Sequence, residues 1–459
     1  MIRFLLLAAL LSAVAPDRPL QAAAPTDPPS LARKAEIFQT DMERRFLLEG
    51  QALCKLRPPR PDKPHTDYNM PDNAYMTGIY LAALSMKFRV TDDETDRRKA
   101  LESLDALMRL CEITGEPGLL ARAYWPADRP MQDDGIWRPS PDGRYRWRGD
   151  VSTDQMAGAI FGFFFAWEYV ADPDTRQRIG TITAAMVDRI ELHGRRIRDI
   201  DGSYTRWGRY DPNYVTGRKK MNALLYLQVL AVAARTSGRQ DLADLYRRCA
   251  LEERYVELAV EARRLLDPAR RPGVVNHSDD VLLFLAYVPL LKIESDPVLR
   301  ERYLASFRRF WLGNEKYPGV RPEANPLYSF AAAEFLGDRS GVEDGLRTLH
   351  LFPFRIKWAP DIVQLYAAEL GFSDIPVTSA EPDPGIPIPI DRRAKTWSAW
   401  VQDPYHSPWR DTPPDPQEYN GHDYLLAYWF GRYLNLIDPA QYGMNFQLPC
   451  PDIRKGGII

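Results

Sequence analysis

Histidine and cysteine are scarce in this chain of 459 residues, at six and four. The histidines stand at 65, 193, 277, 350, 406 and 422, with no pair four residues apart, so no helix offers the two-imidazole face of a zinc protease. The cysteines form no Cys-x-x-Cys, and Gly-x-Gly-x-x-Gly, Walker and Gly-x-Ser-x-Gly patterns are missing too. Nucleotide enzymes and elbow-type serine hydrolases are therefore poor starting points. Neither sign of charge dominates: 60 Lys+Arg face 62 Asp+Glu, a net −2, which gives no basis for binding nucleic acid or an anionic membrane. Alternating β-branched runs are few, so no strand-rich domain is expected.

What is present describes a folded globular protein: 45% hydrophobic and 27% charged residues, with 11 Trp, 23 Tyr and 39 Pro. The first residues read as a secretory signal. Arg3 precedes an eleven-residue apolar run, Phe4 to Val14, too short to span a bilayer, and Ala22-Ala23-Ala24 offers a cleavage site. We assign residues 1–22 to the signal and 23–459 to one domain, periplasmic or secreted and, once the signal is removed, not bound to membrane. Cys54, Cys111, Cys249 and Cys450 would then meet an oxidising space, as one of three disulfide pairings or as buried thiols.

Helical periodicity dominates the rest. Runs apolar on nearly every face begin near Asp72, Asp154, Lys219, Asp279, Asn325 and His422. Five are followed by charged, one-sided segments at 93–112, 173–196, 240–266, 296–312 and 341–350, and Leu31 to Arg57 supplies a sixth. A helix apolar all round must be buried all round, whereas a one-sided helix lies outside. Six inner helices alternating with six outer ones predict an all-α fold, an (α/α)6 toroid of helical hairpins. Long loops at 115–153, 199–217, 313–324 and 373–421 each lead into an inner helix. The last, rich in Pro and Trp, reads as an ordered cover over the ring.

In such a ring the inner helices start at one mouth, and polar residues gather at those starts. Asp, Asn and Ser there are ordinary N-caps, worth about 1 kcal/mol each, but one per helix suffices. Asp150 with Asp154, and Asp279 with Asp280 behind Asn276 and His277, exceed that need. Candidate catalytic residues are Asp150, Asp154, Asp279, Asp280, His277 and Glu323. Asn276, Arg218 and His422 are candidates for holding substrate, and Trp137, Trp147, Trp207 and Tyr210, in polar loops, for stacking on sugar rings. Asp279, Asp280 and Asn276 lie in no EF-hand pattern, so neither metal nor cofactor is expected.

The twelve-helix alternation resembles the six-hairpin superfamily of toroidal glycosidases and polysaccharide lyases, over nearly the whole mature chain. Asp150-Val-Ser-Thr-Asp154 resembles the Asp-Ser-Ser-type element of unsaturated glucuronyl hydrolases, though in an early hairpin rather than a late one. Asn276-His277-Ser278 resembles the Asn-His-Ser of toroidal alginate lyases, where Asn and His serve the substrate's carboxylate and proton removal at C5. Here Asp279-Asp280 follow, adding two negative charges where a uronate needs neutralising. The resemblance implies a carbohydrate-active enzyme with a poly- or oligosaccharide substrate.

Three functions are open on this reading. The first is a glycoside hydrolase, with the base among Asp150 and Asp154 and the acid among Asp279, Asp280 and Glu323. The second is a polyuronate lyase, in which His277 or a tyrosine (Tyr68, Tyr210 or Tyr424) takes the proton while Asn276 and Arg218 steady the carboxylate. The third is a non-catalytic glycan-binding protein whose helix-start acids are caps.

Overall fold

Burial sorts the helices into two kinds. In the computed structural model, which describes residues 30–57, 61–62, 66–262, 276–314, 318–353, 386–393, 398–405 and 418–439, the helices run in chain order. They are α1 (Leu31–Arg45), α2 (Asn73–Thr91), α3 (Glu94–Glu112), α4 (Thr153–Tyr169), α5 (Pro173–Leu192), α6 (Pro212–Gly217), α7 (Met221–Ser237), α8 (Gln240–Arg247) and α9 (Tyr255–Glu261). After these come α10 (His277–Ile293), α11 (Pro297–Leu312), α12 (Pro326–Phe335), α13 (Val342–Leu351) and α14 (His422–Tyr433). Residues 76–86 of α2, 155–166 of α4, 221–233 of α7, 279–291 of α10 and 422–431 of α14 are buried without interruption, while α3, α5 and α11 bury one face. The inner helices pack in the cyclic order α2, α4, α7, α10, α12, α14 and back to α2. The others lie against the outside, and the architecture is the (α/α)6 toroid.

The tightest inner crossing is α2 on α4. A Cβ built on Gly78 would sit 2.0 Å from the Gly158 carbonyl oxygen, and one on Gly162 would lie 2.6 Å from that of Gly78. Side chains are excluded there, and the two helix starts are drawn together.

Two expectations need correction. The helix expected over 31–57 ends at Arg45, and Leu47–Leu48 and Gln51–Ala52 pair as a hairpin. Its turn places Glu49 and Gly50 at φ 49° and 83°, the left-handed region that reverses the chain and cannot continue a helix. The expected 240–266 helix breaks after α8 into a π-helical turn, Arg248–Glu252, and Arg254 at φ 59° restarts it as α9.

The long loops carry small sheets at the mouth where the inner helices begin. Tyr145–Arg148 pairs with Ala123–Pro126 and Trp137–Pro139, and Arg196–Arg198 pairs with Tyr204–Arg209. Glu418–Tyr419, just before α14, pairs with Lys55–Arg57, which pairs with Asp67–Asn69 before α2. Early and late segments of the chain also meet: the Tyr424 hydroxyl donates to the Leu31 carbonyl at 2.8 Å, Asn420 Nδ2 to that of Leu53 at 2.7 Å, and Lys34 Nζ to that of Phe352 at 2.7 Å. Of the expected cover, 386–393, 398–405 and 418–421 are described. The signal segment, Cys450, Trp397 and Trp409 lie outside the described residues, and Cys54, Cys111 and Cys249 are buried.

Candidate active site

The capping pattern shows which helix-start residues are spare. Outer helices are capped in the ordinary way: the carboxylates of Asp93, Asp172 and Asp296 accept from the amides of Thr95, Thr175 and Val298 at 2.7, 2.8 and 2.9 Å. In α4 the cap is Ser152, closed reciprocally with Gln155, and in α12 it is Asn325. Asp72 at the start of α2 and Asn276 at the start of α10 make no capping bond. Asp154 and Asp72 are thus free of that duty.

Both line one cavity, of about 220 Å³, at the mouth of the ring. Its wall is Asp72, Tyr75 and Met76 of the α2 start, Asp154 of α4, Ser278 and Leu282 of α10, Tyr419, and Ser398 and Val401 of the cover. Gln155 joins the two acids' helices: while capping α4, it donates from Nε2 to Asp72 Oδ1 at 2.9 Å. Burial raises the Asp72 pKa, with Arg122 and Lys55 opposing and the charge of Asp154 adding to the rise. The Tyr75 phenol is pushed well above its ordinary value by burial and by Asp423, Asp154 and Asp72, so it stays a proton donor.

Behind this wall stands a second pair. Lys219 Nζ lies 2.9 Å from Asp279 Oδ1. Burial drives the Asp279 pKa up to about 6 against the pull of Lys219, with Asp154 and Asp280 contributing. Its Oδ2 has no hydrogen-bond partner among the described residues. Burial lowers the Lys219 pKa, yet Asp279 and Asp154 outweigh that and raise it.

His277 sits in a cage of carboxylates. Its Nδ1 is 3.3 Å from Asp280 and 3.7 Å from Glu323, and its Nε2 is 3.6 Å from Asp403 of the cover. Burial alone would lower its pKa, but the bonds to Asp280 and Asp403 and the charge of Glu323 raise it to about 9. An imidazolium at neutral pH cannot accept a proton. His277, Asp280 and Glu323 also bring one nitrogen and two oxygens within 4.8 Å of one another, a set that could ligate a cation only with the imidazole deprotonated.

The other candidates are dispersed. Asp150, at φ 58°, accepts from the Arg206 amide at 3.0 Å and donates its own amide to Asp199 at 2.9 Å, fastening the loop hairpin. Arg218 is exposed. Asn276 accepts from the Ser278 hydroxyl at 2.8 Å. Trp147 is buried under the Arg138 guanidinium, and Trp137 is half-buried with its indole donating to Asp133 at 2.9 Å. Tyr210 is buried and stacked on Tyr226 at 5.1 Å. Trp207 alone of the four aromatics is well exposed, at 47%. His422 is buried between Asn420 and Asp423, with Nε2 3.0 Å from the latter. The lyase tyrosines are engaged elsewhere, Tyr68 donating to the Arg45 carbonyl at 2.7 Å and Tyr424 to that of Leu31 at 2.8 Å.

Sequence reasoning passed over Asp72, Tyr75, Lys219 and Asp423. The signal for Asp72 was the polar run from Tyr68 to Asn73, which holds the same surplus at its helix start as the other clusters.

No protein-family model and no curated protein matches the chain. Among solved structures it is similar to an unsaturated glucuronyl hydrolase specific for heparin (11% identity, TM-score 0.44, covering 88% of this chain and 96% of that one). It is also similar to the cellobiose 2-epimerase of Spirochaeta thermophila (13%, 0.40, 88% and 97%) and to a family 76 α-mannanase of Bacteroides thetaiotaomicron (9%, 0.41, 88% and 96%). The chemistry proposed for this chain rests on its own residues.

Proposed function

We propose that this protein is an exported glycoside hydrolase acting on an oligo- or polysaccharide through Asp72 and Asp154. One observation carries the reading: two carboxylates from different helices, neither needed as a cap, wall one cavity beside Tyr75 and Tyr419. Glycoside hydrolysis needs a protonated acid at the leaving oxygen and a carboxylate across the sugar. Asp72, its pKa raised by burial, is suited to hold the proton. Asp154 is suited to act as base or nucleophile. Lys219 and Asp279 set the field behind Asp154, and the acid, expected from the sequence among Asp279, Asp280 and Glu323, is assigned in this reading to Asp72. Export is supported by the leader pattern at residues 1–22.

The test is a glycan screen followed by variants. Asp72→Asn and Asp154→Asn should each lower turnover by about 10²–10⁴-fold, since a positioned proton-transfer group contributes that much. Asp150→Asn should keep it. Products should show new reducing ends without the absorbance of an unsaturated sugar. Unsaturated products would replace hydrolysis by elimination, and full activity in both Asn variants would end the two-carboxylate reading.

A further inference from the structure

Gln155 is fully buried at the third position of α4, and both ends of its amide are engaged. Its Oε1 accepts from the Ser152 main-chain N–H at 2.8 Å and from the Ser152 hydroxyl at 2.7 Å. Turning the amide round would set Nε2 against that N–H, donor against donor, so the helix cap fixes which end is which. Nε2 therefore points away from the cap, 2.9 Å from Asp72 Oδ1 and 3.5 Å from the Pro71 carbonyl. The side chain that closes the start of α4 thus holds the acid of α2 by one oxygen.

Asp72 Oδ2 has no hydrogen-bond partner among the described residues, and Asp72 belongs to the cavity wall. In a protonated carboxyl the carbonyl oxygen is the better acceptor and the hydroxyl oxygen is the donor. Asp72 therefore keeps its carbonyl at Oδ1, on the Gln155 N–H, and carries its proton on Oδ2. We propose, resting on the hydrolase reading above, that Gln155 is the positioning residue of the acid: its oxygen caps α4, and its N–H reserves Asp72 Oδ2 for the proton that is delivered. In each turnover that proton passes to the leaving oxygen as the glycosidic C–O bond breaks. The hydroxyl of one water joins the anomeric carbon, and the water's other proton is left to the two carboxylates. Oδ1 stays on Gln155 throughout, and the N–H supports the charge left on Asp72. The other groups facing Asp72 are untouched by a change at 155. Burial raises its pKa, Arg122, Lys55 and Arg148 draw it down, and Asp154 adds to the rise. The phenols of Tyr75 and Tyr419 face it too, with Asp423 near both.

Gln155→Glu separates the two duties. Glutamate is an ordinary partner of a capping serine, so the cap and the unfolding temperature should hold. Toward Asp72 it sets a second carboxylate where an N–H stood, which draws the proton between the two, onto Oδ1. The full chain, labelled with carbon-13 at its Asp carboxyls, is titrated by NMR without substrate, and the Asp72 signal is identified by its loss in Asp72→Asn. In Gln155→Glu the Asp72 titration should move to higher pH by about one unit or more. In Ser152→Ala, which weakens the cap alone, it should stay in place. On a glycan that the wild type cleaves, Gln155→Glu should lose turnover at least about tenfold with KM little changed. An unmoved titration overturns the role given to Gln155, whatever the turnover. A titration that moves without loss of turnover overturns instead the acid assignment of Asp72, and with it the delivery proposed here. Should Gln155→Glu fail to fold, Gln155→Met, which removes donor and acceptor together, should move the titration the same way more weakly. No movement there overturns the proposal equally.

Discussion

The ammonium of Lys219 and the carboxylate of Asp279, 2.9 Å apart, hold each other charged in a place where burial opposes both charges. Lys219→Met leaves Asp279 buried and uncompensated, which costs about 3–5 kcal/mol in comparable pairs. Urea unfolding near neutral pH should show that loss. It should shrink in acid, because without Lys219 the Asp279 pKa moves further above about 6 and the acid takes up a proton. Adding Asp279→Asn to Lys219→Met should recover most of the stability. No recovery would mean that the pair does not act as one.

His277 makes stability depend on alkaline pH. Its folded pKa, about 9, lies above the ordinary 6.5, so its contribution is complete below 6.5 and is lost as pH rises through 9. The span corresponds to roughly 3 kcal/mol. Thermal unfolding followed across that window should fall steadily in the wild type, and the fall should flatten in His277→Gln. Equal slopes in the two proteins would contradict the carboxylate cage of Asp280, Glu323 and Asp403.

The α2–α4 crossing should tolerate no methyl group. A Cβ at Gly158 would lie 2.7 Å from the Tyr75 Cα, so Gly158→Ala must push the helices apart at a cost of about 1–3 kcal/mol or more. Because the same contact sets Asp72 and Tyr75 against Asp154, turnover should fall as well. Gly217→Ala is the control: its Cβ meets nothing within 4 Å, and stability should hold or rise slightly. Calorimetry and a turnover assay on both variants check this.

The alkaline limb of kcat/KM should report Asp72. An acid must be protonated to act, so activity falls as pH rises through its pKa. Arg122 is the strongest influence holding that pKa down. Arg122→Gln should therefore move the limb to higher pH, and a limb that stays put would assign the proton to another group.

The ring itself was legible because it is written in burial. Inner helices expected to begin near 72, 154, 219, 279, 325 and 422 begin at Asn73, Thr153, Met221, His277, Pro326 and His422. A segment apolar on every face leaves the chain no other place to go. The end of α1 was hidden because Leu47, Leu53 and Leu56 continue an apolar spacing through what is a hairpin. There Glu49-Gly50 is the informative pair, and it acts through backbone angles. The site was legible in outline: Asp154, His277, Asp279, Asp280 and Glu323 come from three helix starts at one mouth. Asp72 was hidden because an aspartate before a helix looks like a cap, and only the missing hydrogen bond separates the two roles. Trp147 and Tyr210 looked like loop aromatics because their burying neighbours, Arg138 and Tyr226, are set by tertiary contacts that no local pattern reveals.

The junction between the early and late segments of the chain has a consequence in time. The flank of α2 covered by α14 and the strand Lys55–Arg57 that pairs with Glu418–Tyr419 wait for partners made more than three hundred and thirty residues later. Contacts of such separation come late in folding, since the loop must close before they form. A nascent chain holding the first five hairpins is an open arc with one apolar edge bare, the kind of surface that associates with other chains or recruits a chaperone. Synthesis must reach α14 before the molecule has an inside.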